Sequence, residues 1–321
     1  MNTPAIYQQN HQAPHRGADG LSTPTQMTPL ALYCKSYQTD LKRAVRLAQS
    51  VRQYNSEHLP FYVSVPQVDL PLFQTHLAGL DVQLLSDEEI IQASPRIPAE
   101  QVRQMPGNLS QQVVKSEFWR LGLSSAYVCL DSDASFIRPF GLADFMTPDG
   151  TPYTMMDECH DLMEDAIRHQ RGRVVEAYLK EADLVQQLFQ RVGRRYSFGP
   201  FPVVWHRAVW ESLDTNYLQP RGINFADAIT QAPIESRWYG EALLAYKAVP
   251  LLPCQALFKV YHYAWQFDLD QRDGLRSHDL AQFYCGDIRQ SNWERDMDWP
   301  REGGNFLSRL GRRLRRRLGR I

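Results

Sequence analysis

The sequence predicts an α/β fold: a single Rossmann-like α/β/α domain around a mostly parallel sheet. Three observations predict it. Short apolar runs at 30–34 (LALYC), 61–65 (FYVSV), 82–85 (VQLL) and 126–130 (AYVCL) have the length and composition of strands covered on both faces. Helix-period stretches accompany them, TDLKRAVRLAQSVRQY, DLPLFQTHLAGL and SQQVVKSEFWRLGL, at the ~10–15-residue spacing of βαβ units. The chain has 321 residues, 22% charged and 43% hydrophobic, which is enough to bury a sizeable core and is the balance of a globular protein rather than a fibrous or wholly disordered one.

Taken in order, residues 1–28 are rich in Pro, Gln, Thr, Asn and His and hold too little apolar surface to offset their ordering entropy, so a disordered arm is expected there. The domain is expected over 29–300. After the four leading strands come a strand at PYTMM (152–156), a long charged helix over 161–191 and an apolar run, PFPVVW, at 200–205. A helix through GEALLAYK (240–247) and a strand at ALFKVYHY (256–263) follow. No linker or internal repeat divides the chain, so the second half is expected to complete and lid the sheet.

Charge and composition exclude several classes. No apolar stretch reaches ~18 residues and the N-terminus lacks a signal-peptide pattern, so a cytoplasmic address is expected. Five widely spaced cysteines form no C-x-x-C, which argues against a disulfide framework or structural zinc. Net charge is -1, yet residues 305–321 hold seven of the 35 Lys and Arg and no acid, leaving 28 basic against 36 acidic residues elsewhere. An acidic body speaks against a nucleic-acid partner. In the tail, Phe306, Leu307, Leu310, Leu314, Leu318 and Ile321 recur at helical spacing among the arginines. Residues 303–321 therefore read as a basic amphipathic helix suited to an anionic membrane surface, placing the protein peripherally on the inner face, the alternatives being an arm for a nucleic-acid or protein partner or packing back on the acidic body.

The most informative segment is AYVCLDSDASFIRPF, where Asp131 and Asp133 follow an apolar strand. Residues i and i+2 of a strand share a side, so both carboxylates are expected to face one crevice at the strand's carboxyl end, where open α/β sheets bind ligands. Two hard oxygen donors suit Mn²⁺ or Mg²⁺ completed by water and phosphate; the alternative is a turn or helix cap. Three Asp-x-Asp triplets occur among 22 Asp against about one or two expected by chance, so position rather than number singles this one out. The triplets at 268–270 and 296–298 lie in polar, loop-like sequence.

LYCKSYQTDLKRAVRLAQSV, YVSVPQVD, QQVVKSEFWRLGLSSAYVCLDSDASFIRPF, YGEALLAY and YHY together resemble nucleotide-sugar glycosyltransferases of the GT-A fold, within a poorly characterised bacterial group. The resemblance covers about residues 30–295 and is strongest over 111–139. It implies that Asp131 and Asp133 hold a divalent ion, Mn²⁺ or Mg²⁺, on the nucleotide diphosphate, with Ser132 between them at the donor. It further implies donor contacts from Gln111, Gln112 and Lys115, and a base and ribose pocket at Lys35, Ser36, Tyr37 and Asp40. Lys115 could equally be a solvated surface lysine, and Asp40 a helix cap. His262 matches a late metal-shell histidine, or is a satisfied core residue. Glu241, and after it Asp157 or Glu158, are candidate acids on the acceptor side. The implied activity is transfer of a sugar from a nucleoside-diphosphate sugar to a saccharide or lipid-linked acceptor.

Two rivals remain. A strand followed by Asp-x-Asp also opens haloacid-dehalogenase-like phosphatases, but there the motif sits on the first strand with Thr or Val two residues after the second Asp, where this chain has Ser135 near the fourth. The other is a non-catalytic GT-A-like scaffold tethered by its tail. The six tryptophans after residue 200 could stack on sugars, with core packing as the competing role.

Overall fold

The computed structural model describes residues 27–300. The expected arm, apart from Met27 and Thr28, and the expected basic helix lie outside those residues; Thr28 already belongs to the first strand.

The chain opens with β1 (Thr28–Lys35), α1 (Leu41–Tyr54), β2 (Phe61–Val65), α2 (Leu70–His76) and β3 (Val82–Ser86). Next come α3 (Asp87–Gln92), α4 (Ala99–Gln104), α5 (Gly107–Glu117), β4 (Ser124–Asp131) and β5 (Ala134–Phe136). The second half runs through β6 (Tyr153–Met155), α6 (His160–Arg168), α7 (Gly172–Leu188), β7 (Val203–His206), α8 (Arg207–Leu213), α9 (Phe225–Gln231) and α10 (Glu235–Tyr246). It ends with β8 (Leu252–Cys254), β9 (Phe258–Tyr261), α11 (Ala264–Arg272), α12 (Ser277–Leu280) and β10 (Gly286–Arg289).

The main sheet has the order β3-β2-β1-β4-β7, with the first four strands parallel and β7 antiparallel to β4. This is the Rossmann-like α/β fold the apolar runs predict, and its alternation sorts the core into two layers. Ala31 and Tyr33 of β1 join Tyr127 and Cys129 of β4, with Val113 and Val114 of α5 and the faces of α8, α9 and α10. Leu30, Leu32 and Cys34 join Ala126, Val128 and Leu130 on the other face, against Leu41, Ala44, Leu47, Ala48 and Val51 of α1. Buried residues at spacings of three and four make that stripe of α1. Each such Leu, Ile, Val or Phe contributes roughly 1.5–3 kcal/mol by leaving water.

The second half differs from expectation in detail. The PYTMM strand, β6, pairs with β8 in a separate two-stranded sheet, and β9 pairs with β10 and through it with β5 in a three-stranded one. Both small sheets flank the main one. The expected single helix over 161–191 is two helices. Gln170 takes a left-handed φ of 56°, and Arg171 N donates to Ala166 O at 2.7 Å, the six-to-one bond with which helices commonly end. Helical periodicity persists across such a break, which is why it did not show in the pattern. Trp205, Trp210 and Trp238 are buried in the core, as the packing alternative held.

Candidate functional site

Strand order reverses between β1 and β4, because β2 and β3 extend the sheet to one side of β1 and β4 returns to the other. At such a switch point the loops diverge and leave a crevice beyond the carboxyl ends. Lys35 and Asp131 are register partners at those ends. A cavity of about 1030 Å³ opens there, lined by Lys35, Tyr37, Asp40, Gln112, Lys115, Asp131, Ser132 and Asp133 among others. Ser36, of opposite parity to Lys35, does not line it; its hydroxyl is buried without a partner. Ser36 is thus the one proposed donor contact that the fold turns away.

Parity explains the central pair. Asp131 continues the alternation of Tyr127 and Cys129, so it projects to the α5 face of the sheet. There Lys115, in the last turn of α5, donates to Asp131 Oδ1 at 2.6 Å. Lys115 is not a surface lysine: it is 4% exposed, stands 3.5 Å from Glu235 Oε1 and lies 4.3 Å from the centre of the Phe201 ring. Burial works against its ammonium, but Asp131 and Glu235 more than offset that and hold its pKa above the ordinary lysine value. The same burial holds the Glu235 carboxyl above its ordinary value, opposed by Lys115. Gln112 fixes this helix start by accepting from Glu235 N at 3.2 Å.

Asp133 reaches the cavity differently from the expected strand alternation. β4 ends at Asp131, and Ser132 and Asp133 form the turn into β5. The end of β10 and the segment after it hold that turn: Arg289 N donates to Asp133 O at 3.2 Å, and Ser291 N donates to Asp133 Oδ2 at 2.8 Å. Asp133 Oδ1 is buried with no partner. Burial, then the nearby Asp131 charge, push the Asp133 carboxyl up to about 7, against the Ser291 hydrogen bond. Asp40 makes no helix-capping bond; its Oδ1 accepts from Arg43 Nη1 at 2.6 Å, and Ser132 stands beside it.

The remaining expected residues fall as follows. Tyr37 is 44% exposed at the mouth, and Lys35 is ion-paired with Asp87 Oδ2 at 3.1 Å. Asp157 lines the cavity and accepts from Cys159 N at 2.8 Å, while Glu158 is drawn to Arg194 at the surface. Glu241 is a correction: it does not line the cavity, because its carboxylate faces the other side of α10 in a buried two-bond pair with Arg191, at 2.5 and 2.7 Å. His262 lines the cavity, but the described residues hold no group of three or more His, Cys, Asp or Glu side chains placed for a metal ion. The pair therefore lacks His262 as a third ligand; that ring sits beside Gln290, and burial lowers its pKa.

Sequence reasoning missed Glu235 and Arg237, which line the cavity from the first turn of α10. An acid at a helix start reads as a dipole partner, and nothing in the spacing marks either as buried. Asp87 was missed for the same reason. Its position directly after β3 was the available signal.

A family of unknown function, DUF6492, matches residues 25–266. The chain belongs to that family. The DUF6492 match takes in β1, β4 and the Asp131–Asp133 turn but stops before Ser291. No curated protein matches this DUF6492 chain. Among solved structures, apo mouse xyloside xylosyltransferase 1 aligns over 82% of this chain and 98% of its own, with a TM-score of 0.41 and 8% identity.

Proposed function

We propose that this chain is a metal-dependent glycosyltransferase acting on a nucleoside-diphosphate sugar and a saccharide or lipid-linked acceptor. One observation carries the reading: at the switch point, buried Lys115 and the carboxylates of Asp131 and Asp133 face one cavity, with Asp133 Oδ1 left without a partner. A buried carboxylate oxygen with nothing to bond costs about 1–3 kcal/mol or more, a cost that a bound cation would remove. Asp131 and Asp133 offer two hard oxygens, which fits Mn²⁺ or Mg²⁺ completed by water and phosphate oxygens. Such an ion would stabilise the negative charge that collects on a diphosphate leaving group.

In this reading Lys115 donates to a diphosphate oxygen from a site already free of bulk water, where a charged hydrogen bond is strong. Gln112 and Glu235 hold its helix ends in place. Tyr37 and Lys35 face the base and ribose at the mouth. Asp157, on the α6 side, is the acid we retain for the acceptor. Outside the described residues, segment 303–321 would rest on an anionic membrane surface and bring the enzyme to its acceptor.

The test is thermal melting with UDP and GDP, with and without Mn²⁺. Because Asp131 accepts a hydrogen bond from buried Lys115, Asn, whose amide oxygen still accepts, is a better replacement than Ala. Wild type should melt higher with one nucleotide plus Mn²⁺, and Asp131→Asn and Asp133→Asn should lose that shift. Lys115→Ala should weaken the nucleotide by roughly tenfold or more, the loss of a charged bond of ~1.5–3 kcal/mol. Equal metal-dependent shifts in both aspartate variants would refute the reading.

A further inference from the structure

We infer that the acceptor is an acidic saccharide, and that Arg237 binds its carboxylate or phosphate. This rests on the glycosyltransferase reading of the cavity and names the chemistry of its second substrate.

Arg237 is 2% exposed, on the cavity wall formed by α10, and forms no salt bridge with any described residue. Its Nη1 donates to Tyr178 O at 3.0 Å, its guanidinium stacks 4.4 Å from the Tyr178 ring centre, and its Nε is buried with no partner. The other large buried arginine is treated quite differently. Arg43, fully buried, is ion-paired with both Asp40 and Asp298. Arg191, packed on the same helix as Arg237, has Glu241. An arginine cannot shed its proton to escape burial, so an isolated one is costly unless something anionic meets it. Glu181 acts on Arg237 only from beyond pairing distance, and burial lowers the Arg237 pKa on balance.

The surrounding wall selects the kind of anion. Asp161, Glu164 and Asp165 of α6 line the same cavity and outnumber Arg168, which lines it too and pairs with Glu164 and Asp165 at 3.4 Å. They would repel a small free anion but accept hydrogen bonds from sugar hydroxyls. A guanidinium matches a carboxylate or phosphate with two parallel bonds. One ligand satisfies both demands: a sugar whose hydroxyls meet the acids while its acidic group meets Arg237.

The experiment is thermal melting of the full chain with glucuronate, glucose 6-phosphate, glucose and inorganic phosphate, on wild type, Arg237→Met and Arg237→Lys. Wild type should be stabilised by glucuronate or glucose 6-phosphate and not by glucose; which of the two acts tells carboxylate from phosphate. Arg237→Met should shift the midpoint concentration at least tenfold. Without ligand it should melt no lower than wild type, since it removes a buried charge that has no partner, an outcome a merely structural arginine would not give. Should Arg237→Met fail to fold, Arg237→Lys carries the comparison, with a weakened response expected. No response in wild type, an undiminished response in the variants, or an equal response to inorganic phosphate would each overturn the inference. UDP and GDP, each with Mn²⁺, on the same proteins are the separate arm. A nucleotide shift that survives in Arg237→Met supports the division of the cavity, whereas its absence everywhere refutes the donor reading without touching the acidic-sugar result.

Discussion

Asp133 is a carboxylate held where charge is unwelcome, with one oxygen satisfied by Ser291 N and the other by nothing. Its pKa, pushed up to about 7 by burial and then by Asp131, means that the folded protein binds a proton there which the unfolded chain releases near 4. The folded state therefore gains most from this group at low pH, and the gain is lost as pH rises toward and through 7. Asp133→Asn removes the penalty while keeping the shape. Its stability should match wild type near pH 4 and exceed it by pH 8, by up to about 4 kcal/mol for a carboxyl held at about 7 rather than near 4, with a correspondingly higher melting temperature. Mn²⁺ with nucleotide should narrow the difference by stabilising wild type alone. A pH-independent difference between the two proteins would show that Asp133 is not the group being strained.

At the scale of elements, α10 decides the geometry of the site, since it carries Glu235 and Arg237 into the cavity and Glu241 into the Arg191 pair. Its Gly240 is there for room. A Cβ at that position would lie 2.0 Å from Phe198 Cγ, a ring that cannot fold aside. Gly240→Ala, although favoured by helix propensity, should lower stability by about 1–3 kcal/mol, as overpacking does, and should weaken nucleotide binding by tilting α10. Urea unfolding and the nucleotide melting shift check both effects; a stabilised variant would overturn this account. The same helix shows what the sequence made legible. Apolar runs marked β1, β2 and β4 because those strands are covered on both faces, and the partly buried edge strand β3 by its shorter run, while the end of β4 marked Asp131. Asp133 reached the cavity for a reason the strand period did not contain, namely a turn held by residues more than 150 positions later. Glu241 and Glu235 are six residues apart on one helix, and only packing against α5 and α7 tells which faces the cavity. β5, β8 and β10 are three or four residues long and passed unnoticed, whereas β6, β7 and β9, equally short, lie within longer apolar or aromatic runs that gave them away.

Across the whole molecule, the segment after β10 acts as a strap over the Asp133 side of the cavity. Arg46 holds Glu294 through two bonds at 2.7 and 2.9 Å and donates to Asp133 O at 3.3 Å, while Arg43 bonds Glu294 O and Asp298. Trp299 N donates to Thr39 O at 2.8 Å, in the turn between β1 and α1. The root of the basic tail is thus fastened beside the mouth of the cavity. Among the described residues no helix is long and apolar enough to cross a membrane. With seven arginines spread through residues 305–321, attachment through the tail would be to a surface. With ~1 kcal/mol per basic residue near an anionic leaflet, seven arginines bound the attraction at about 7 kcal/mol before screening and helix ordering reduce it. Binding should be reversible by salt. The full chain should float with vesicles containing phosphatidylserine, stay behind with neutral ones, and release in high salt; a chain ending at Gly304 should not float, yet should keep its melting temperature because the strap is intact. Equal partitioning of the two proteins would remove the membrane from the account and leave the cavity chemistry as it stands.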